Sequence, residues 1–122
     1  MLARYDVVVI GAGPAGEGAA MKLVKEGRRV AVIDQLGEVG GNCAHVGTIP
    51  SKALRQTVYN LMRFRRDPLL SRMADIRSLP LSQVLARAHK VIDIQVTTHH
   101  RFFERNDVDL YYGEARFEDD HT

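Results

Sequence analysis

The stretch VVVIGAGPAG, which runs from Val7 to Gly16, joins an unbroken apolar, β-branched segment to a glycine-rich loop. Its first four residues predict a short strand of the kind that parallel sheets bury on both faces. Apolar residues then recur at helical spacing as far as Gly27, which predicts a helix that ends at a glycine. The order of strand, glycine loop and helix favours an α/β fold with a parallel sheet.

The glycine loop has the spacing GxGxxG, and each glycine has a separate physical role. Gly11 permits the tight turn out of the strand, Gly13 lets the backbone approach a pyrophosphate, and Gly16 lets the helix pack closely on the strand. Pro14 and Ala15 complete the loop, and the free N–H groups at the helix start face the phosphates. The loop predicts a dinucleotide site, the alternative being a structural turn in an unrelated α/β protein.

A second buried strand is predicted at Val30–Ile33, with Asp34 at its carboxyl end. Asp34 lies roughly 20 residues beyond the glycines, where a carboxylate accepts hydrogen bonds from ribose hydroxyls. The next residue, Gln35, is included among the expected cofactor-binding residues. The loop by itself does not separate FAD from NAD.

The segment GGNCAHVGTIPSK, from Gly40 to Lys52, has the layout of a redox-active disulfide segment that lacks one sulfur. Cys43 is the one cysteine of the chain, and the position five residues further on is Thr48. Without a partner, Cys43 cannot form the internal disulfide that dithiol chemistry requires.

Together, the two segments resemble the flavoprotein disulfide reductase family, also called the class I pyridine nucleotide-disulfide oxidoreductases. The usual active-site sequence of that family is GGxCxxxGCxPSK, from which this chain departs only at Thr48. That departure and the flanking residues are most similar to the transhydrogenase branch of the family. The resemblance covers essentially the whole chain. It implies that the glycine loop holds tight, non-covalent FAD, and that the enzyme exchanges hydride between its substrates NADPH and NAD.

The resemblance also implies roles for individual residues around the flavin. Lys52 is expected to point toward the flavin ring and stabilise negative charge there, the alternative being an exposed lysine at a helix start. Cys43, also expected at the catalytic site, either packs against the flavin or takes part in redox chemistry. Gly113-Glu-Ala115 resembles the adenine-side segment of the family or is a simple turn after a strand. The remaining cofactor-binding residues that the resemblance implies are Gly41, Asn42, Gly47 and Thr48.

The rest of the chain is predicted to be mainly helical. One helix is expected from residue 50 or 51 to 67, a loop over 68–79, and a longer helix over about 80–104 that is either continuous or bent. A strand is predicted at 108–112. The predicted fold class is therefore α/β, a Rossmann-like parallel sheet of an incomplete FAD-binding domain, with a long helical crossover after the second strand.

Composition sets wider bounds on function. The chain has 122 residues, 45% of them hydrophobic, which suits one globular domain. A net charge of +2 gives no support for nucleic acid as a partner. No apolar run reaches the ~18 residues of a membrane span, and one cysteine fits a reducing cytoplasm. His45, His99 and His100 show no metal-ligand spacing, so no metal site is expected, and the last two are predicted to lie on a helix surface.

Members of the family are several times longer than this chain. Residues 1–122 are therefore expected to be the N-terminal part of an FAD-binding domain, without the NAD(P)-binding and dimerisation domains. The parent is expected to form a homo-oligomer through the missing domains. These residues alone are expected to be inactive, to bind FAD weakly and to expose apolar strand faces. Two alternatives remain: a relative of dihydrolipoamide dehydrogenase that lacks the second redox cysteine, and a non-enzymatic nucleotide-binding or interaction module.

Overall fold

A computed structural model of the chain describes residues 4–73 and 79–119. Within these ranges, strands and helices alternate as an α/β fold requires, and a pair of long helices separates the second strand from the third. The elements are β1 (Val7–Ile10), α1 (Pro14–Lys25), β2 (Val30–Asp34), α2 (Gly41–His45), α3 (Thr48–Arg66), a 3₁₀ turn (Leu70–Arg72), α4 (Leu81–Arg105) and β3 (Asp109–Tyr112).

The described strands form one parallel sheet in the order β1-β2-β3. Val9 lies opposite Val32 in the first pair, and Val32 lies opposite Leu110 in the second. The central strand β2 is buried at Val30, Ala31 and Val32, as its continuous apolar sequence predicts. The predicted α/β class with a parallel sheet and a helical crossover is confirmed.

One cluster of buried apolar side chains holds the helices α1 and α4 against the sheet. Phe103 of α4 is its largest member and is 1% exposed. Burial of an aromatic side chain of this size stabilises the fold by roughly 1.5–3 kcal/mol relative to an exposed position. The buried members of the cluster are Ala12, Ala20, Met21, Val30, Val32, Val39, Phe103 and Val108.

Strand β1 is half-buried on one face and exposed on the other. Val8 is 50% exposed and Ile10 is 60% exposed, whereas Val7 and Val9 are half-buried. Burial on both faces, which the apolar sequence predicts, is therefore not found in this chain, and the expected exposure of apolar strand faces is confirmed. Among residues 4–73 and 79–119, no strand pairs with the outer edge of β1.

The helical crossover differs from its prediction at the start of α3 and within the predicted loop, and α4 has the continuous form, one of the two that the sequence left open. Helix α3 begins at Thr48, before the predicted start, because Pro50 still lies in the first turn, where backbone N–H groups have no helical partner. Helix α4 is one continuous helix. The predicted loop contains the 3₁₀ turn, and its residues 74–78 lie outside the described ranges. On α3, the side chains of Val58 and Met62 are exposed.

Polar and aromatic side chains contact one another at the amino ends of the strands. The Tyr5 hydroxyl donates a hydrogen bond to the Asp109 carboxylate at 2.8 Å and also contacts the Tyr111 hydroxyl. The hydrogen bond with Tyr111, and to a smaller extent the one with Asp109, raises the pKa of Tyr5 above its usual value. The guanidinium of Arg29 lies 5.7 Å from the Tyr5 ring centroid. Gly11, Asp34 and Gly113, which the sequence predicts to be functional, lie at the carboxyl ends of the strands.

Candidate functional site

The carboxyl ends of the strands surround a cavity of about 280 Å³. Parallel α/β sheets bind ligands at this edge, where the loops after successive strands meet. The predicted segments after β1, β2 and β3 all reach the cavity, although they are far apart in the sequence. Its lining residues are Ile10, Gly11, Ile33, Asp34, Gln35, Leu36, Gly113, Glu114 and Ala115.

The Asp34 side chain connects the glycine loop to the end of β2 by hydrogen bonds. Its Oδ2 accepts a hydrogen bond from the Ala12 N–H at 2.8 Å, and its Oδ1 accepts one from the Leu36 N–H at 2.9 Å. This structural role was not predicted from the sequence, which indicated only a contact with ribose. An ionised carboxylate has about four acceptor sites, so both roles are compatible.

The backbone of the glycine loop is tightly packed at Gly16 and has more space around it at Gly13. A Cβ on Gly16 would lie 1.9 Å from the Gly11 carbonyl oxygen, so close packing of helix on strand requires a glycine there. A Cβ on Gly13 would meet only the Gly41 Cα within 4 Å, at 3.9 Å. The open backbone at Gly13, beside the start of α1, fits the close approach of a pyrophosphate group.

The segment around the cysteine packs directly on the glycine loop. The Gly40 N–H donates a hydrogen bond to the Ala12 carbonyl at 2.8 Å. Gly41 has a φ of +54°, and a Cβ there would lie 3.0 Å from the Gly13 Cα. The two sequence motifs therefore form one continuous backbone surface.

Cys43 and Thr48 lie in different helices. Cys43 is a half-buried free thiol in α2, and Thr48 is the exposed first residue of α3. The Gly47 N–H donates to the Asn42 carbonyl at 2.8 Å and closes the turn between the helices. Helix α2 was not predicted, because its five residues are too few to show helical periodicity.

His45 braces α2 against the loop that precedes it. Its Nε2 lies 2.9 Å from the Val39 carbonyl oxygen, and its Nδ1 lies 3.2 Å from Oε2 of Glu38. Both ring nitrogens therefore face oxygen atoms of the loop that precedes α2. The sequence left the role of His45 open, and the structure supports a bracing role.

Lys52 is the fifth residue of α3 and therefore lies in its second turn. Its side chain is exposed. It does not line the cavity between the strand ends. Its expected orientation toward a flavin stays a prediction.

His99 occupies a different position from the one predicted. Instead of lying on the helix surface, its side chain is 24% exposed and its Nδ1 contacts Oε2 of Glu17 in α1. The ring also lies beside Gly40, with Cδ2 3.8 Å from where a Cβ on that glycine would be. His100 is half-buried as well. No local sequence signal indicates a pair separated by 82 positions.

The part of the chain that the structure describes contains no group of three or more His, Cys, Asp or Glu side chains that could hold a metal ion. Within the same residues, we find no helix whose length and apolar character would let it cross a lipid bilayer.

Similarity to known proteins extends over nearly the whole chain. Soluble pyridine nucleotide transhydrogenases from Azotobacter vinelandii and from Ectopseudomonas mendocina are each 51% identical to it over 119 residues, which are 98% of this chain and 26% of the relative. The chain thus spans about a quarter of the length of these relatives.

Solved structures show the same fold. The HOCl-induced flavoprotein disulfide reductase RclA from Escherichia coli matches with a TM-score of 0.68 and 27% identity over 90% of this chain and 22% of RclA. Its Cu(II) complex matches with a TM-score of 0.70 and 27% identity over 95% of this chain and 23% of that one. The Rossmann-like fold class predicted from the sequence is confirmed.

The family model described as "Pyridine nucleotide-disulphide oxidoreductase" matches residues 5–122. This match confirms the resemblance inferred from the glycine loop and the single-cysteine segment. The chain belongs to the pyridine nucleotide-disulphide oxidoreductase family.

Proposed function

We propose that this chain forms the FAD-binding portion of a transhydrogenase that exchanges hydride between NADPH and NAD. The observation that carries the proposal is the replacement of the second redox cysteine by Thr48 in a family named for disulfide chemistry. Cys43 is the one cysteine in the sequence, so electrons cannot pass through an internal disulfide. The relatives that are half identical to this chain are transhydrogenases, which supports the same reaction class.

The cavity at the strand ends suits the adenosine half of FAD. We propose that Asp34 and Gln35 face the ribose and that Gly113 and Ala115 contact the adenine ring. These residues surround one cavity although three different strands lead into it. The pyrophosphate would lie against the backbone from Gly11 to Gly16, where the start of α1 offers unpaired N–H groups.

The segment around Cys43 is proposed to lie at the flavin end. It packs on the glycine loop through Gly40 and Gly41, so a dinucleotide on that loop extends toward α2 and α3. When bound, FAD supplies a ring that accepts a hydride from one nicotinamide and returns it to another. The protein groups proposed to contact it are Gly41, Asn42, Cys43, Gly47, Thr48 and Lys52.

Lys52 is the proposed catalytic cation of this segment. A fixed positive charge stabilises negative charge that develops nearby during hydride transfer. Cys43 is proposed to pack beside the flavin as a free cysteine, since the sequence has no second cysteine with which it could form a disulfide.

The nicotinamide sites are proposed to lie in the portion of the transhydrogenases that this chain does not cover. The chain spans 26% of those relatives, and hydride transfer requires a nicotinamide held about 3–3.5 Å from the flavin. We therefore propose that residues 1–122 alone have no turnover, and that a complete enzyme also has NAD(P)-binding and dimerisation domains. A homo-oligomer in the cytoplasm is proposed for it.

The test uses the full polypeptide that carries this segment, isolated with FAD. We expect hydride exchange from NADPH to an NAD analogue with a shifted absorbance, and no reduction of lipoamide or glutathione disulfide. Residues 1–122 with added FAD serve as the control and should not exceed the free-flavin rate. Robust disulfide reduction would support the dithiol reductase alternative, and failure to bind FAD would contradict the whole proposal.

A further inference from the structure

A carboxylate lies in the first turn of α1, close to the end that the proposed function assigns to pyrophosphate binding. The Glu17 N–H donates to the Gly13 carbonyl at 2.9 Å, which places Glu17 one turn from the helix start. Its carboxylate contacts the ring of His99, which lies beside Gly40. The Glu17 side chain is 19% exposed.

This position creates an electrostatic conflict. In the absence of ligand, a carboxylate in the first turn stabilises the helix by its interaction with the positive end of the macrodipole. A pyrophosphate bound at the same end carries negative charge and is repelled by that carboxylate. Because Glu17 is largely buried, salt screens this repulsion less than it would at an exposed site.

The residue that lies against the Glu17 carboxylate is His99. Its Nδ1 contacts Oε2 of Glu17, and its side chain is 24% exposed. A ring N–H that donates to this oxygen offsets part of the charge of the carboxylate. The same ring lies beside Gly40, whose N–H is hydrogen-bonded to Ala12 of the glycine loop. The pair therefore stands between the helix start and the cysteine segment.

We propose that His99 is a positioning residue that compensates the charge of Glu17 and so keeps the start of α1 attractive to the pyrophosphate of a dinucleotide. The inference rests on the proposed function, since it concerns affinity for FAD at the same loop. It assigns His99 an effect on binding that acts through Glu17 and not through contact with the ligand. Hydride transfer in protein already loaded with FAD is not expected to depend on it.

An electrostatic role and a purely structural brace give opposite patterns of mutant affinity. For an electrostatic role, His99→Leu leaves the carboxylate uncompensated and weakens FAD binding by about tenfold. Glu17→Gln removes the repelling charge and binds FAD at least as tightly as the wild type. The double variant, with both substitutions, returns to within about twofold of the wild type. If the contact is only a structural brace, each single variant binds FAD more weakly than the wild type, and the double variant binds FAD no more tightly than either single variant.

The experiment is a titration of the apo form of the full polypeptide with FAD, followed by flavin fluorescence, at low and high salt. His99→Lys places a cation at this position and should restore the affinity that His99→Leu loses, and the penalty of His99→Leu should shrink at high salt. His89→Leu is the matched control, because His89 is an exposed histidine on the same helix. It should leave the FAD dissociation constant unchanged.

Thermal unfolding of each apo variant separates a folding defect from a binding defect. The brace pattern, or an unchanged dissociation constant in His99→Leu, would overturn this inference and leave the proposed function intact. Failure of the wild type to bind FAD would overturn the proposed function, and this inference with it.

Discussion

Gly13 and Gly41 face each other at backbone contact, since a Cβ on Gly41 would lie 3.0 Å from the Gly13 Cα. The hydrogen bond from the Gly40 N–H to the Ala12 carbonyl, at 2.8 Å, holds the two segments in this position. The glycine loop and the cysteine segment therefore form one surface, and a side chain placed between them would separate the proposed pyrophosphate and flavin ends of the site.

Two glycines in α1 should respond in opposite ways to alanine. Gly16→Ala is expected to lower the free energy of unfolding by about 1–3 kcal/mol or more, because the new Cβ would lie 1.9 Å from the Gly11 carbonyl oxygen. Gly18→Ala is the matched control, since its Cβ would meet nothing within 4 Å. It should raise the free energy of unfolding by about 0.5–1 kcal/mol through helix propensity. Urea denaturation measures both, and equal stability of the two variants would contradict the observed packing of α1 on β1.

Asp34→Asn tests the structural role of the carboxylate that caps β2. The amide nitrogen of asparagine cannot accept a hydrogen bond, so either the Ala12 or the Leu36 N–H loses its partner. We expect the free energy of unfolding to fall by about 1–3 kcal/mol in the absence of FAD. Asp93→Asn is the control, because Asp93 is exposed in the middle of α4. A loss of FAD affinity without any loss of apo stability would assign Asp34 to the ligand alone.

Gly13→Val should block FAD without unfolding the protein. The φ of Gly13 is −77°, a value that any residue adopts, and a Cβ there would meet only the Gly41 Cα within 4 Å, at the ordinary contact distance of 3.9 Å. The valine side chain would fill the approach to the backbone that the proposed pyrophosphate needs. The measurement is flavin absorbance of the purified full polypeptide together with its circular dichroism. Full FAD occupancy in a folded variant would show that the pyrophosphate lies elsewhere.

Thr48→Cys places a second thiol at the position where the family pattern has one. We expect a disulfide with Cys43 to form on mild oxidation, provided that the Cα atoms come within about 4.4–6.8 Å. Thiol titration before and after oxidation reports it, with Ser51→Cys as a control at another exposed position of α3. The substitution alone should not create disulfide reductase activity. Appearance of that activity would mean that Thr48 is the main determinant of reaction class.

Lys52→Met tests the proposed catalytic cation. Loss of a positive charge near the flavin should lower its reduction potential and slow its reduction by NADPH by about tenfold or more. Lys90→Met is the matched control, because Lys90 is an exposed lysine in α4. Stopped-flow reduction and a potentiometric titration of the full polypeptide measure the two effects. If both quantities match the wild type, Lys52 is an ordinary exposed lysine.

The elements that sequence predicted well are those whose signal is local. The apolar run predicts β1, Gly27 predicts the end of α1, and the apolar spacing predicts α4. The structure contains these elements. Helix α2 is too short to show a period, and the exposed positions of β1 depend on which elements cover it.

The features of the site that sequence missed depend on contacts between distant segments. The contact of His99 with Glu17 joins α4 to α1, and the hydrogen bonds of Asp34 depend on how the glycine loop folds back on β2. Propensity and periodicity carry no information about such pairs. The convergence of the strand ends could be predicted because the carboxyl ends of parallel strands meet at one edge of the sheet.

The long crossover between β2 and β3 also has a consequence for the order of folding. β2 ends at Asp34 and β3 begins at Asp109, whereas β1 and β2 are joined by the single helix α1. Closure of a longer loop has a larger entropic cost, and pairings between distant segments form slowly. We therefore expect β1, α1 and β2 to assemble first, and the hairpin of α3 and α4 to deliver β3 afterwards. A nucleotide present during folding would then meet Asp34 before Gly113, on the proposed adenine side, has joined the sheet.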